Sequence, residues 1–345
     1  MSGARADVLL DARETSHASA GMLAYVRALR RLLPLVAPDL RVAEFGGGDN
    51  FDLAEQLVMP LEIARRRPRL VHFPTPFVPR IVPAPHVVTV HDAIDLEFPQ
   101  YAKSKVGPYY RRIVGPVLRS ARAVITDDEA TVELLERYLR VSPARVRVIP
   151  LGVDAPDPFP PPLVRDRPYF FYAGNHRPHK DLATLVRAWA SLPGEVAVDL
   201  VLTGAEEPEL RAVGRAAGER GASGFAGELV FAGDVDAGEV WGLHRGALAY
   251  VHPALREGFG LPLLEALRAG TPAIAADTAT PSVLAPFVRR YPAHDAEALR
   301  ALLLRAVERR GMSASDADRA REATAHLTWE RTVRATADVY RELIA

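Results

Sequence analysis

Short apolar runs alternate with longer amphipathic stretches along the first half of the chain. Val8–Leu10, Leu70–Phe73, Val87–Val90, Ala123–Thr126 and Val146–Ile149 have the length and β-branched content of buried strands. Between them, Gly21–Leu33, Phe51–Leu57, Tyr109–Ser120 and Glu129–Tyr138 have the periodicity of helices. This alternation predicts a parallel sheet covered on both faces. The stretch Asp154–Pro162 then carries five prolines in nine residues, which can continue neither a helix nor a central strand. It reads as a linker over 156–163. Beyond it the alternation restarts. Tyr169–Ala173, Val198–Thr203, Leu229–Ala232, Ala247–His252 and Ala273–Ala276 read as strands, and Asp181–Ser191, Gly238–Arg245, Leu261–Ala269 and Ala296–Glu308 as helices. The final stretch places Trp329, Val333, Ala337, Tyr340 and Ile344 on one helical face. The expectation is α/β: a first domain over 1–155, a second over 164–326, and a terminal helix, 327–345, packing back on the first. Two doubly wound halves of this kind bind ligand in the cleft between them.

Composition narrows the chemistry. Lys+Arg and Asp+Glu are each 43, so no global basic field draws in nucleic acid. No apolar run reaches the 18–20 residues or so of a membrane span, and the start of the chain has no leader-like apolar segment; the cytoplasm is the default address. Cysteine is absent, which removes disulfides, thiolate nucleophiles and thiolate metal sites together. His176 and His179 have only Asp181 as a nearby carboxylate, so no metal is expected. Lysine occurs only at 103, 105 and 180, against forty arginines. Scarce amides and many prolines fit a heat-adapted protein or a GC-rich genome equally.

The segment His252–Gly270 carries the most information. A strand ends near His252, and Glu257-Gly258-Phe259-Gly260 follows as a loop. Pro262 suits the first turn of a helix, and Gly270 its C-terminal cap. A helix start offers free N–H groups and a positive dipole end, and Gly258 and Gly260 admit a ligand close to the backbone. That suits a diphosphate. Glu257 and Glu265 are poor phosphate ligands but good hydroxyl acceptors, so a sugar and a ribose would use both. A plain helix cap with two solvated glutamates fits the same residues, and a lone Gly-x-Gly is weak evidence.

Glu257-x7-Glu265 enclosing Gly-Phe-Gly-Leu-Pro resembles the signature of the retaining glycosyltransferases of family GT4, which have the GT-B fold. Other pieces agree in the family's order: Ser19-Ala-Gly21, Val90-His-Asp92, Ile149-Pro-Leu-Gly-Val-Asp154, Tyr172-Ala-Gly-Asn-His-Arg-Pro-His-Lys-Asp181, Val230-Phe-Ala-Gly-Asp-Val235 and Trp329-Glu-Arg331. The resemblance covers nearly the whole chain. It departs at Thr126-Asp-Asp-Glu129, at Leu151 and at Ala254, where relatives carry other residues.

The resemblance implies roles residue by residue. Glu257 lies by the donor sugar and Glu265 binds the ribose. The backbone of Gly258, Phe259, Gly260 and Leu261 holds phosphate or sugar, and Val235 lies beside the nucleobase. Lys180 neutralises the diphosphate with Arg177 as second cation. His91 faces the transferred sugar and Gly21 brings a helix start to the diphosphate. Asp234-Val-Asp236 looks like a metal-binding D-x-D, but such sites belong to another fold. The implied activity is metal-independent, cofactor-free, retaining transfer of a hexose from a nucleotide-diphospho-sugar, with a lean to GDP-mannose from the His91-Asp-Ala-Ile-Asp95 stretch. The acceptor is a glycan, a lipid-linked sugar or a small molecule. The basic run Arg65–Arg69 raises a weak peripheral membrane contact as a further expectation, against a solvated helix end. The alternatives are a non-catalytic nucleotide-sugar-binding subunit of polysaccharide assembly, and an epimerase or phosphorylase of the same fold.

Overall fold

The computed structural model describes residues 5–220, 227–309 and 314–345; the start of the chain, Met1–Ala4, lies outside them. Two compact units form. The first comprises residues 1–152 and 327–345, the second residues 153–326.

The first unit is built on six parallel strands: β1 (Val8–Asp11), β2 (Val42–Phe45), β3 (Leu70–Phe73), β4 (His86–Thr89), β5 (Ala123–Thr126) and β6 (Val146–Val148). Their spatial order is β2-β1-β3-β4-β5-β6. The inner strands β1, β3, β4 and β5 are buried at every position, which is why they appear in the sequence as unbroken apolar runs. The chain moves to one side of β1 for β2 and to the other for β3. The crevice at the carboxyl ends of β1 and β3 is the topological switch point of this unit. Helix Ala20–Val36 begins there, capped by the Ser19 side chain, which accepts the N–H of Met22.

The terminal helix Trp329–Ile344 belongs to this unit and packs on Ala20–Val36. Trp329, Val333, Ala337 and Tyr340 are buried, and Ile344 is half-buried. Its seat is also polar. The Thr332 hydroxyl donates to Pro150 O at 2.9 Å, and the Tyr340 hydroxyl lies 2.5 Å from His72 Nδ1. His72 Nε2 faces the Thr89 hydroxyl at 2.8 Å, and burial pushes the imidazole down to about 3, so it is neutral.

The second unit repeats the plan with β7 (Tyr169–Tyr172), β8 (Asp199–Leu202), β9 (Leu229–Phe231), β10 (Ala249–His252), β11 (Ala273–Ala276) and β12 (Val288–Tyr291), all parallel, in the order β12-β11-β10-β7-β8-β9. Its switch point lies between β7 and β10. The proline-rich stretch is part of this unit and is laid against helix Ala237–Gly246. Leu163 N–H donates to Gly242 O at 2.8 Å, Arg245 reaches Pro160 O, and the Phe159 and Trp241 rings lie 5.5 Å apart. A Cβ at Gly246 would fall 2.3 Å from Leu163 O, so glycine is required for this close approach.

Candidate active site

The two segments singled out by their motifs leave the second sheet side by side. The loop after β7 carries Ala173–Lys180, and the loop after β10 carries Pro253–Gly260, at the switch point where open α/β sheets bind ligands. The Leu255 N–H donates to His179 O at 2.8 Å and ties the loops together.

Lys180 closes a short turn, Pro178–Lys180, after which Asp181 takes the left-handed conformation (φ 47°) and helix Leu182–Ala190 begins. The Lys180 side chain is 11% exposed, and its ammonium forms an ion pair with Glu257, itself 18% exposed, through Oε2. His252 Nε2 lies 3.2 Å from the same oxygen. Burial alone would raise the pKa of Glu257; the ammonium and the imidazole outweigh it and hold the carboxyl well below its ordinary value. Burial, with the Lys180 charge beside it, pushes His179 down to about 4 and leaves it neutral.

Gly260, in the left-handed region (φ 72°), turns the chain into helix Leu261–Ala269, which has Pro262 in its first turn and no side chain capping it. Pro262 carries no N–H and the Leu263 N–H donates to Gly260 O at 2.9 Å, so an N–H offered to an anion here comes from Leu261 and the loop before it. Gly258, Phe259 and Gly260 are buried and Leu261 is half-buried. Glu265, one turn further on, is 27% exposed, with His244 Nε2 3.9 Å from its carboxylate. Arg177 stands exposed at the head of the turn that ends in Lys180. Val235 is half-buried after Gly233, whose backbone pairs with Gly204 through bonds of 2.8 and 3.1 Å. Asp236 is spent on a capping box. Its Oδ1 accepts the Glu239 N–H at 2.8 Å while Glu239 accepts the Asp236 N–H at 2.9 Å. Among the described residues, no group of three or more His, Asp or Glu side chains is arranged to hold a metal.

His91 and Gly21 belong to the first unit. Gly21 is half-buried in the first turn of Ala20–Val36. His91 follows β4, is 6% exposed, and has both ring nitrogens facing acceptors: Asp127 Oδ2 at 2.7 Å from Nδ1 and Pro74 O at 3.3 Å from Nε2. Both nitrogens are thus placed to donate, as an imidazolium does. Burial opposes that charge, but Asp127 outweighs it and raises the imidazole above its ordinary value. Asp127 was not among the residues picked out by motif. Nor were His252 and Tyr250, whose only signal is two polar tips at a spacing of two on a buried strand.

The chain matches two family models. Residues 155–324 match "Glycosyl transferases group 1", and residues 34–157 match "Glycosyltransferase Family 4". It is 24% identical to O-antigen chain mannosyltransferase B of Escherichia coli over 74% of this chain and 70% of that one. It is 30% identical to phosphatidyl-myo-inositol mannosyltransferase of Mycolicibacterium smegmatis over 64% of this chain and 55% of that one. Sucrose-phosphate synthase from Thermosynechococcus elongatus shares the fold, with a TM-score of 0.69 at 21% identity over 97% of this chain and 98% of that one. Anabaena HepE, solved in complex with UDP and glucose, gives 0.68 at 16% over 97% and 99%.

Proposed function

The chain belongs to the group 1 glycosyltransferases of family 4, with the GT-B fold, and from that premise we propose that it moves mannose from GDP-mannose to an acceptor hydroxyl, with retention and without a metal. Enzyme class and fold follow from the family; donor, stereochemistry and metal independence are the proposal. One observation carries it: the Lys180–Glu257 pair sits at the switch point of the second unit, beside the uncapped start of Leu261–Ala269. The naming of several relatives as mannosyltransferases supports the donor.

In the step proposed, the bond from sugar C1 to the diphosphate oxygen breaks and the electron pair stays on that oxygen. A bond from the acceptor oxygen to C1 forms on the same face, and the acceptor's proton passes to the leaving phosphate. Lys180, Arg177 and the N–H groups of Gly258–Leu261 meet the charge that develops there, the work a divalent cation does elsewhere. Glu257 accepts from sugar hydroxyls, Glu265 from the ribose, and Val235 borders the base. His91 and Gly21, in the first unit, carry the roles the resemblance implies for them. Mannosyl transfer from GDP-mannose, assayed with and without EDTA, tests this reading. Glu257→Ala and Lys180→Ala should each lower the rate by roughly 10²-fold or more, as loss of a preorganised charge contact does, while the wild type ignores EDTA. Near-normal turnover in either variant removes that residue from the mechanism.

The acceptor side has a separate indication. Of the nine large apolar side chains exposed among the described residues, Phe51, Leu53, Leu57, Val58 and Leu61 lie on one segment, with Ile81 and Tyr101 in neighbouring stretches. The Phe51 ring touches Phe77 at 5.5 Å and Tyr109 at 4.7 Å, so this face adjoins the region of Lys103, Lys105, Arg111 and Arg112. Residues 98–126 contain six Lys or Arg and no Asp or Glu. Arg65–Arg67 are exposed at the end of the same helix. Arg66 is taken by Glu62, but exposed apolar side chains with Lys103, Lys105, Arg111 and Arg112 near them suit an anionic lipid surface, and the proposed acceptor is lipid-linked. No described helix is long and apolar enough to cross a membrane, so the contact is peripheral. Sedimentation with vesicles of phosphatidylcholine, with and without 30% or so phosphatidylglycerol, should show binding only to the anionic set. Leu57→Asp with Leu61→Asp should abolish it; binding that survives this pair refutes the surface.

A further inference from the structure

Two buried polar side chains at the site have no role in the reaction as written. Tyr250 and His252 stand two apart on β10 and so share one face of the strand. Their exposures are 0% and 2%. The Tyr250 hydroxyl lies 3.0 Å from His252 Nδ1 and 3.4 Å from Ala173 O. On the other side of the ring, Nε2 has no well-aligned hydrogen-bond partner, and the acceptor it faces is Glu257 Oε2 at 3.2 Å.

The placement of protons follows from these neighbours. A bare Nε2 lone pair directed at a carboxylate would be repulsive, so Nε2 carries a proton. With the proton on Nε2, Nδ1 is left as the acceptor, and the single proton of the Tyr250 hydroxyl goes to this nearer partner. The result is a directed chain, Tyr250 O–H to His252 Nδ1 and His252 Nε2–H to Glu257 Oε2, rooted in a strand whose backbone pairs with β7 and β11.

Lys180 occupies the same carboxylate oxygen. Its ammonium ends a flexible stem, and a diphosphate carries more charge than one carboxylate, so an arriving donor competes with Glu257 for it. A carboxylate held by Lys180 alone would lose its anchor as the donor binds. His252 is fixed in the strand and cannot follow the phosphate.

We propose that His252, oriented by Tyr250, is a positioning residue that keeps Glu257 in place when the donor diphosphate takes Lys180, leaving Glu257 Oε1 for the sugar. The inference rests on the role proposed for Glu257. It predicts an effect on turnover more than on binding. With GDP-mannose as donor, His252→Leu should lower kcat by about 10- to 100-fold, the range expected when a reacting group is misplaced by an ångström or so. KM for the donor should stay within about threefold of wild type, because Lys180 and the helix N-terminus remain. His252→Gln, whose side-chain N–H reaches the same position as Nε2, should restore kcat to within about fivefold, and Tyr250→Phe should fall between them. Wild-type kcat in His252→Leu, or glutamine no better than leucine, overturns the proposal.

A second measurement needs no substrate. Long-range ¹H–¹⁵N NMR on the free protein, with His252 assigned through His252→Gln, should show Nε2 protonated and Nδ1 bare. A neutral ring protonated on Nδ1 overturns the relay. Absence of turnover with GDP-mannose in the wild type would instead refute the donor reading, while the tautomer still decides the relay.

Discussion

At Glu257 and at His91, burial and a buried partner pull in opposite directions, and the partner wins at both. Lys180 and His252 hold Glu257 below its ordinary value; Asp127 raises His91 above its own. The two pairs differ in how visible they are along the chain. Glu257 and Lys180 lie within continuous motifs that resemble a known family's, so they stand out as candidates along the chain. Asp127 lies 36 residues from His91 and carries no motif, so only the adjacency of β4 and β5 brings them together. A test at this scale follows. In Asp127→Asn the carboxylate no longer offsets burial, and of the negative groups that raise His91 only Asp92 remains. The His91 pKa should therefore fall relative to wild type, followed through its ring protons in an NMR titration. An unchanged value would mean that the imidazolium is held by something other than Asp127.

Among the elements, the buried inner strands and the amphipathic helices are legible because burial on both faces, or on one stripe, writes itself into the apolar pattern. The edges are not. β2 and β12 lie at the outer ends of their sheets and read Val-Ala-Glu-Phe and Val-Arg-Arg-Tyr, too polar to register as apolar runs. Helix Pro208–Arg220 is interrupted by Gly214 and Gly218, which blur its period. The predicted helix Phe51–Leu57 is corrected to a π-helical turn, Ala54–Val58, running into Met59–Arg66, and Leu53, Leu57 and Leu61 face outward. A periodic apolar stripe cannot say whether its face meets a core or something outside the chain. The start of Leu261–Ala269 offers the test at this scale. Gly260 holds φ at 72°, and an added Cβ would also sit 3.4 Å from Glu257 Cγ. Gly260→Ala should cost about 1–2 kcal/mol, the penalty of a left-handed non-glycine residue. Calorimetry should show the midpoint lowered by roughly 2–4 °C per kcal/mol for a unit of this size. An undisturbed midpoint would mean that the turn relaxes without needing glycine.

For the molecule as a whole, the two sheets follow one rule in both units: the chain reverses direction beside the first strand and leaves a crevice at the carboxyl ends. In the second unit that crevice receives Lys180 and Glu257, 77 residues apart in sequence. The terminal helix closes the first unit although the whole second unit separates it in sequence from Gly152. There a Cβ on Gly152 would fall 2.1 Å from the Thr328 backbone, so the return of the chain requires this glycine.

The sequence alone determined the fold class and the doubled architecture, because burial pattern and local backbone demands are recorded residue by residue; Glu257, Glu265 and Lys180 stood out as candidates through their motifs. The proline run was legible as a break, but its seat along Ala237–Gly246 was not. The tertiary structure alone decided which side chains share a proton or an ion: Lys180 with Glu257, His252 with Tyr250, His91 with Asp127 and His72 with Tyr340. Such pairs depend on which strands lie side by side and on which way each side chain leaves its strand. Strand order is set by long-range packing, and no local stretch of sequence records it.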